Sequence, residues 1–218
     1  MKKAVLILVL LVIVTTGAFA QWFSFGGGAL FDASFYNGVN YRDSGRRYHL
    51  GEQVLAPGAF IFIDARFVQA ELSLTHGWHT LITNHTQTGG IEAESMGSAL
   101  AVGFSVLGKV PFDFDGGVTL FPLLGANYNH VFQGTHGDMT AEGVSDHSFF
   151  GILAGVGADF DLRGNFFVRT EAMFHFRFPS RLWRDVGDAM NTMGSAANTF
   201  GMGPRIKLGF GYRFGPES

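Results

Sequence analysis

The chain has 218 residues, a net charge of −3 and no cysteine. With 15 basic and 18 acidic residues there is no basic stripe for nucleic acid, and no disulfide to hold a small fold together. Phe at 24 and Gly at 31, with so few charges, suit thin walls facing lipid better than the surface of a soluble enzyme.

The N-terminus comes first. Lys2 and Lys3 precede an apolar run over residues 4–14, and Thr15, Thr16 and Gly17 break it. Ala18-Phe19-Ala20 then gives the small-x-small pattern of a signal-peptidase site. Residues 1–20 are expected to be a cleaved export signal, cut on the strength of Ala18 and Ala20. The run is short for a membrane span, and no later stretch reaches 18 apolar residues.

From there the pattern has period two, which is the signature of strands with two unlike faces. Residues 23–35 put Phe23, Phe25, Phe31 and Phe35 opposite Ser24, Gly26, Asp32 and Ser34. A long polar connection is expected at 36–57. Residues 58–67 set Ile61, Ile63 and Phe67 against Phe60, Phe62, Asp64 and Arg66, and 68–78 set Val68, Leu72, Leu74 and Trp78 against Gln69, Glu71, Ser73 and Thr75. The link between these two, near Arg66-Phe67, lacks Gly, Pro or Asn. A second long connection covers 79–94. Residues 95–106 alternate through Leu100, Val102, Phe104 and Val106. Gly108-Lys109-Val110-Pro111 supplies turn chemistry, so 107–113 reads as a short connection. Residues 114–129 form the next strand, and 130–147 a third long connection. Residues 150–162 alternate Phe150, Ile152, Val156 and Phe160 with Gly151, Gly155, Gly157 and Asp159. Arg163-Gly164-Asn165 is a turn. Residues 165–178 are the clearest strand, with Phe166, Val168, Phe174 and Phe176 opposing Arg169, Glu171, His175 and Arg177. A fourth long connection covers 179–200. Residues 202–214 close the series, with Ile206, Leu208, Phe210, Tyr212 and Phe214 opposing Arg205, Lys207 and Arg213.

Eight strands with short turns on one rim and long loops on the other describe an all-β, antiparallel, up-and-down transmembrane barrel over 21–214, followed by a short periplasmic tail at 215–218. A bilayer tolerates a sheet only if it closes. An eight-stranded lumen is narrow enough for side chains to fill. The inward faces carry Asp32, Asp64, Arg66, Glu71, Asp159, Arg169, Glu171, His175, Arg177, Arg205 and Lys207, and this balanced set predicts a paired charge network. Inward glycines such as Gly103, Gly151, Gly157 and Gly211 leave room for it. Trp22, Tyr212 and Phe214 fit one interfacial girdle and Trp78, Tyr128 and Phe178 the other.

With its leader, its strand pattern and the stretch Ile206-Lys207-Leu208-Gly209-Phe210-Gly211-Tyr212-Arg213-Phe214, the chain resembles the small outer-membrane β-barrel family typified by the OmpA transmembrane domain and OmpX. The resemblance covers about residues 21–214. It implies that Phe210, Tyr212 and Phe214 act as the mark read by the barrel-insertion machinery, although Gly215-Pro216-Glu217-Ser218 follow the last aromatic. No peptidoglycan-binding domain is expected after the barrel, so the resemblance does not imply anchoring of the OmpA kind.

Catalytic residues, cofactors and metals are not expected. Asp146-His147-Ser148 is the nearest approach to a lipid-deacylase cluster, yet neighbours on a strand point to opposite faces. His175 with Ser180 and Glu171 matches no known spacing. His76 and His79 fall on opposite faces, while His85, His130, His136 and His147 lie in or near loops where they could converge on a metal. Residues 179–184 start a basic, aromatic loop that could touch lipopolysaccharide or a partner.

The expected function is a structural or surface-interaction role, carried by a monomeric, porin-like barrel of the cell envelope in the outer membrane of a Gram-negative (diderm) bacterium. It would meet outer-membrane lipid and the insertion machinery, and long outer loops would serve for surface or host-partner contacts. A small-solute channel is one alternative. A soluble periplasmic barrel of the lipocalin type is another, and it requires the Phe-rich faces to point inward.

Overall fold

The computed structural model describes residues 23–43, 46–85, 90–137, 147–178 and 200–214. The expected leader at 1–20 and the tail at 215–218 lie outside these residues, as does the loop start at 179–184. Nine strands are present among the described residues: β1 Phe23–Asp43, β2 Arg46–Ala65, β3 Val68–His85, β4 Gly90–Lys109, β5 Phe112–Phe114, β6 Val118–Gly137, β7 Phe149–Asp161, β8 Phe166–Arg177 and β9 Gly201–Phe214.

All pairings are antiparallel. Each strand pairs with its neighbour in sequence except at one place, where β4 passes over β5 to pair with β6, and β9 pairs back to β1. The result is a closed ring of eight long strands, with no free edge along the ring. β5 is not a ninth stave. Lys109 faces Leu123 and Phe112 faces Leu120, so β4 and β5 hold one register against β6 across the break at Val110-Pro111. Pro111 cannot donate to the ladder, which explains the break.

The turns differ in part from the sequence expectation. Gly108 and Lys109 belong to β4, and the hairpin turns instead at Asp115-Gly116-Gly117. Gly116 and Gly117 both adopt left-handed backbone, φ 91° and 75°, which suits glycine there. Gly164 does the same in the turn before β8, φ 68°. At the β2–β3 turn no glycine is present, and Arg66 itself takes φ 30°. A left-handed first central residue is the pattern of a type II′ hairpin, where Gly is the usual occupant.

The connections expected at 36–57 and 79–94 are largely strand. β1 and β2 pair as far as Asp43↔Arg46, and β3 and β4 as far as His85↔Gly90. By contrast β1 leaves β9 at Tyr36↔Gly201. The β1–β4 sheet therefore rises above the rim on one side. In this extension the apolar/polar alternation is lost, since β4 is exposed on both faces from Gly90 to Ser95. Alternation marks only strands with one buried face, so the sequence pattern stops where the barrel wall ends.

Below that level the two faces separate cleanly. Phe25, Phe31, Ile61, Leu72, Phe104, Leu124, Val156, Phe174, Ile206 and Leu208 stand exposed on the outside. Charged groups and a set of rings are buried inside. This is the reverse of the arrangement the lipocalin-type alternative requires. The larger apolar clusters within the lumen are Leu107/Phe121/Leu123/Leu153/Met173 and Leu30/Phe60/Phe62/Phe167. Glycines open room for these rings. A Cβ at Gly157 would stand 2.2 Å from the Phe121 ring, and one at Gly211 would stand 2.3 Å from Phe167.

Candidate functional site

The lumen is the chemically dense part of the molecule, because period two turns every second residue of eight strands toward one axis. Its charges fall into three tiers. At the short-turn end Arg169 lies between two carboxylates, with Nη2 2.7 Å from Asp64 and Nε 2.6 Å from Asp159. Lys109 also pairs with Asp64. The Arg169 guanidinium lies 4.5 Å from the Phe62 ring centre and 5.1 Å from those of Phe121 and Phe167. Such ring faces stabilise a cation held away from water.

In the middle tier Lys207 donates to Glu71 and to Glu171, the latter at 2.8 Å. Phe60 lies beside this ammonium at 5.2 Å. Gln69 ties the two tiers together. Its amide nitrogen donates to Glu171 at 3.0 Å, and its oxygen accepts from Arg169 at 2.9 Å. In the upper tier Asp32 receives Arg177 at 2.8 Å and Arg205 at 2.7 Å. His175 stands 3.1 Å from the same carboxylate and 2.9 Å from Asn127. Arg177 also lies 4.3 Å from the Phe149 ring centre. Across the tiers five carboxylates (Asp32, Asp64, Glu71, Asp159, Glu171) meet five cations (Lys109, Arg169, Arg177, Arg205, Lys207).

Of the eleven residues expected in the lumen, ten are buried there in these tiers. Arg66 is less buried than these ten. It sits half-buried in the β2–β3 turn, its guanidinium 5.1 Å from the Phe67 ring centre. Lys109, which the turn chemistry of residues 108–111 assigns to a connection, and the linking side chains of Gln69 and Asn127 lie outside the expected set. The buried rings lie outside it too. Phe60, Phe62 and Phe167 sit on the inward parity of their strands, and that parity was the available signal. Phe210 and Phe214 are exposed on the outer face, with Tyr212 half-buried between them. They join Phe23, Phe25 and Phe166 in a continuous aromatic patch across β1, β8 and β9. Trp78, Tyr128 and Phe178 are likewise exposed, and Trp22 lies outside the described residues.

The histidines and serines sort as follows. The Ser148 hydroxyl accepts from the Val131 N–H at 3.0 Å and lies 3.3 Å from His130 Nδ1. Among the described residues His130 meets the Tyr128 ring and no carboxylate. Asp146 and Ser180 lie outside the described residues. His76 packs on Trp78 at the outer face, whereas His79 points inward, so the two are split as strand geometry requires. His79 Nδ1 stands 2.5 Å from Glu52 Oε1, and its ring meets that of His147 edge-on at 5.7 Å. One ligand atom from each of Glu52, His79 and His147 lies within 4.8 Å of the others. This cluster borders a cavity of about 40 Å³ above the upper tier, which Asp32, Tyr36, Arg177 and Arg205 also line. The opposite mouth opens into a vestibule of about 860 Å³ lined by Asp64, Arg66, Lys109, Asp159 and Arg213 among others.

No family model and no curated protein matches the chain. Among solved structures it is similar to the outer membrane protein OprG from Pseudomonas aeruginosa, with a TM-score of 0.50 and 12% identity, covering 89% of this chain and 96% of that one. The beta domain of the Bordetella autotransporter Brka aligns at a TM-score of 0.28 and 12% identity over 86% of this chain and 100% of that one. The translocator domain of NalP from Neisseria meningitidis aligns at 0.25 and 10% over 87% and 88%. The first of these likenesses shows the fold, a closed antiparallel barrel of the outer-membrane kind.

Proposed function

We propose that the chain is a monomeric outer-membrane barrel of a diderm bacterium, exported by residues 1–20, with a sealed lumen and a structural or surface-contact role carried by its outer rim. A belt of exposed aromatic and aliphatic side chains supports membrane insertion, since a soluble protein rarely shows so large an apolar surface. The aromatic patch around Phe210, Tyr212 and Phe214 supports recognition of the last strand by the insertion machinery, in the manner of the OmpA/OmpX type. The rising β1–β4 sheet offers the surface on which a partner or host molecule would be met.

The observation that carries this reading is the three-tier network. Paired charges and interleaved rings occupy the axis where a channel would need continuous water. The vestibule at the short-turn mouth favours a small-solute channel, but it ends against Arg169, Asp64 and Asp159.

The test is electrical. The purified barrel, shown folded by faster gel migration before boiling than after, is added to planar lipid bilayers. The expected result is no current above that of the lipid alone. Reproducible single-channel steps would establish the channel reading in its place.

A further inference from the structure

The geometry points to a zinc site at the outer mouth, formed by Glu52, His79 and His147. The three residues come from separate parts of the chain. Glu52 and His79 lie on neighbouring strands β2 and β3, while His147 precedes β7 on another part of the ring. A β-bulge interrupts the β3–β4 ladder between His79 and Thr80, where Gly97 takes φ 112°. Bulges of this kind re-aim side chains and occur beside functional sites. Here it sits at His79, whose side chain is buried toward the lumen.

Two imidazoles and a carboxylate are a donor set for a borderline metal. Calcium and magnesium prefer all-oxygen shells. Tetrahedral ligands on bonds of roughly 2.0 Å stand about 3.3 Å apart. The ligand atoms of the three residues already lie within 4.8 Å of one another, so small side-chain rotations assemble the site. Three protein ligands leave a fourth position, and the adjoining cavity of about 40 Å³ has room for a water there. Arg177 and Arg205 border the same cavity but are each paired with Asp32, which offsets their repulsion of a cation. Metal binding at this mouth is independent of whether the lumen conducts.

Calorimetric titration of zinc chloride into the folded barrel, prepared without a polyhistidine tag, tests it. One saturable equivalent is expected, and cobalt in place of zinc should give the intense visible bands of a tetrahedral site. His147→Ala should weaken binding by more than about 100-fold, beyond the loss that removing an outer-shell partner causes. His130→Ala, an exposed rim histidine outside the cluster, should leave binding unchanged. Each variant is first checked for heat-dependent gel mobility, with His147→Gln as the substitute if His147→Ala does not fold. Absence of a saturable equivalent in the wild-type protein overturns the inference. So does binding that survives both His147→Ala and Glu52→Gln, or that is lost equally in His130→Ala.

Discussion

Lys207 shows how the lumen is held at the level of one residue. Its side chain has no exposed surface, and neither do those of Glu71 and Glu171, which share its ammonium. A buried charge without its partner is costly, because water no longer solvates it. Lys207→Met is therefore expected to lower stability by about 3–5 kcal/mol, read as a lower urea midpoint for loss of heat-dependent gel mobility. Adding Glu71→Gln and Glu171→Gln should restore most of that loss, since an uncharged tier needs no cation; failure to recover would show that Lys207 acts by packing rather than by charge. The inward position of these residues was legible, because parity along a strand fixes the face. Who pairs with whom was not. Arg205 meets Asp32 across 173 positions of sequence, and Arg177 meets it across 145. Period two says nothing about height along the axis, which depends on the stagger of one strand against the next. The Glu52/His79/His147 cluster escaped for the same reason, since its members lie in what the pattern gives as separate loops.

At the scale of strands, legibility follows the exposed apolar belt. Where one face of a strand meets apolar surroundings and the other the charged lumen, alternation is strong, as in β8 and β9. Where both faces are wetted, as in β4 from Gly90 to Ser95, the same backbone pairing leaves no pattern. The wall and its extension should thus respond differently to a charge. Leu208, at the centre of β9, and Ile91, in the rising part of β4, are both large, apolar and exposed, at 58% and 69%. Leu208→Arg would place a guanidinium at mid-belt and is expected to cost about 2–4 kcal/mol in lipid vesicles. Ile91→Arg should cost almost nothing. The pair is read by urea titration of tryptophan fluorescence in the same vesicles. Equal effects would mean that the belt does not face hydrocarbon.

Taken as a whole molecule, the proposed seal of the barrel consists of obstacles in series. The tier at Asp64/Arg169/Asp159, the tier at Glu71/Lys207/Glu171 and the tier at Asp32/Arg177/Arg205 occupy successive heights. Phe60, Phe62, Phe121 and Phe167 fill space between the first two. Series closure has a consequence that a single gate would not. Removing one tier leaves the axis blocked above and below, so the triple variant Glu71→Ala, Glu171→Ala, Lys207→Ala should remain non-conducting in planar bilayers despite the space it opens. It keeps the net charge change small, one cation and two carboxylates being lost together, and it removes no member of either other tier. The variant must first show the faster unboiled band of a closed barrel. Stable current from it would mean that the middle tier alone closes the lumen, and the residues above and below would then be the walls of a vestibule on each side of one gate.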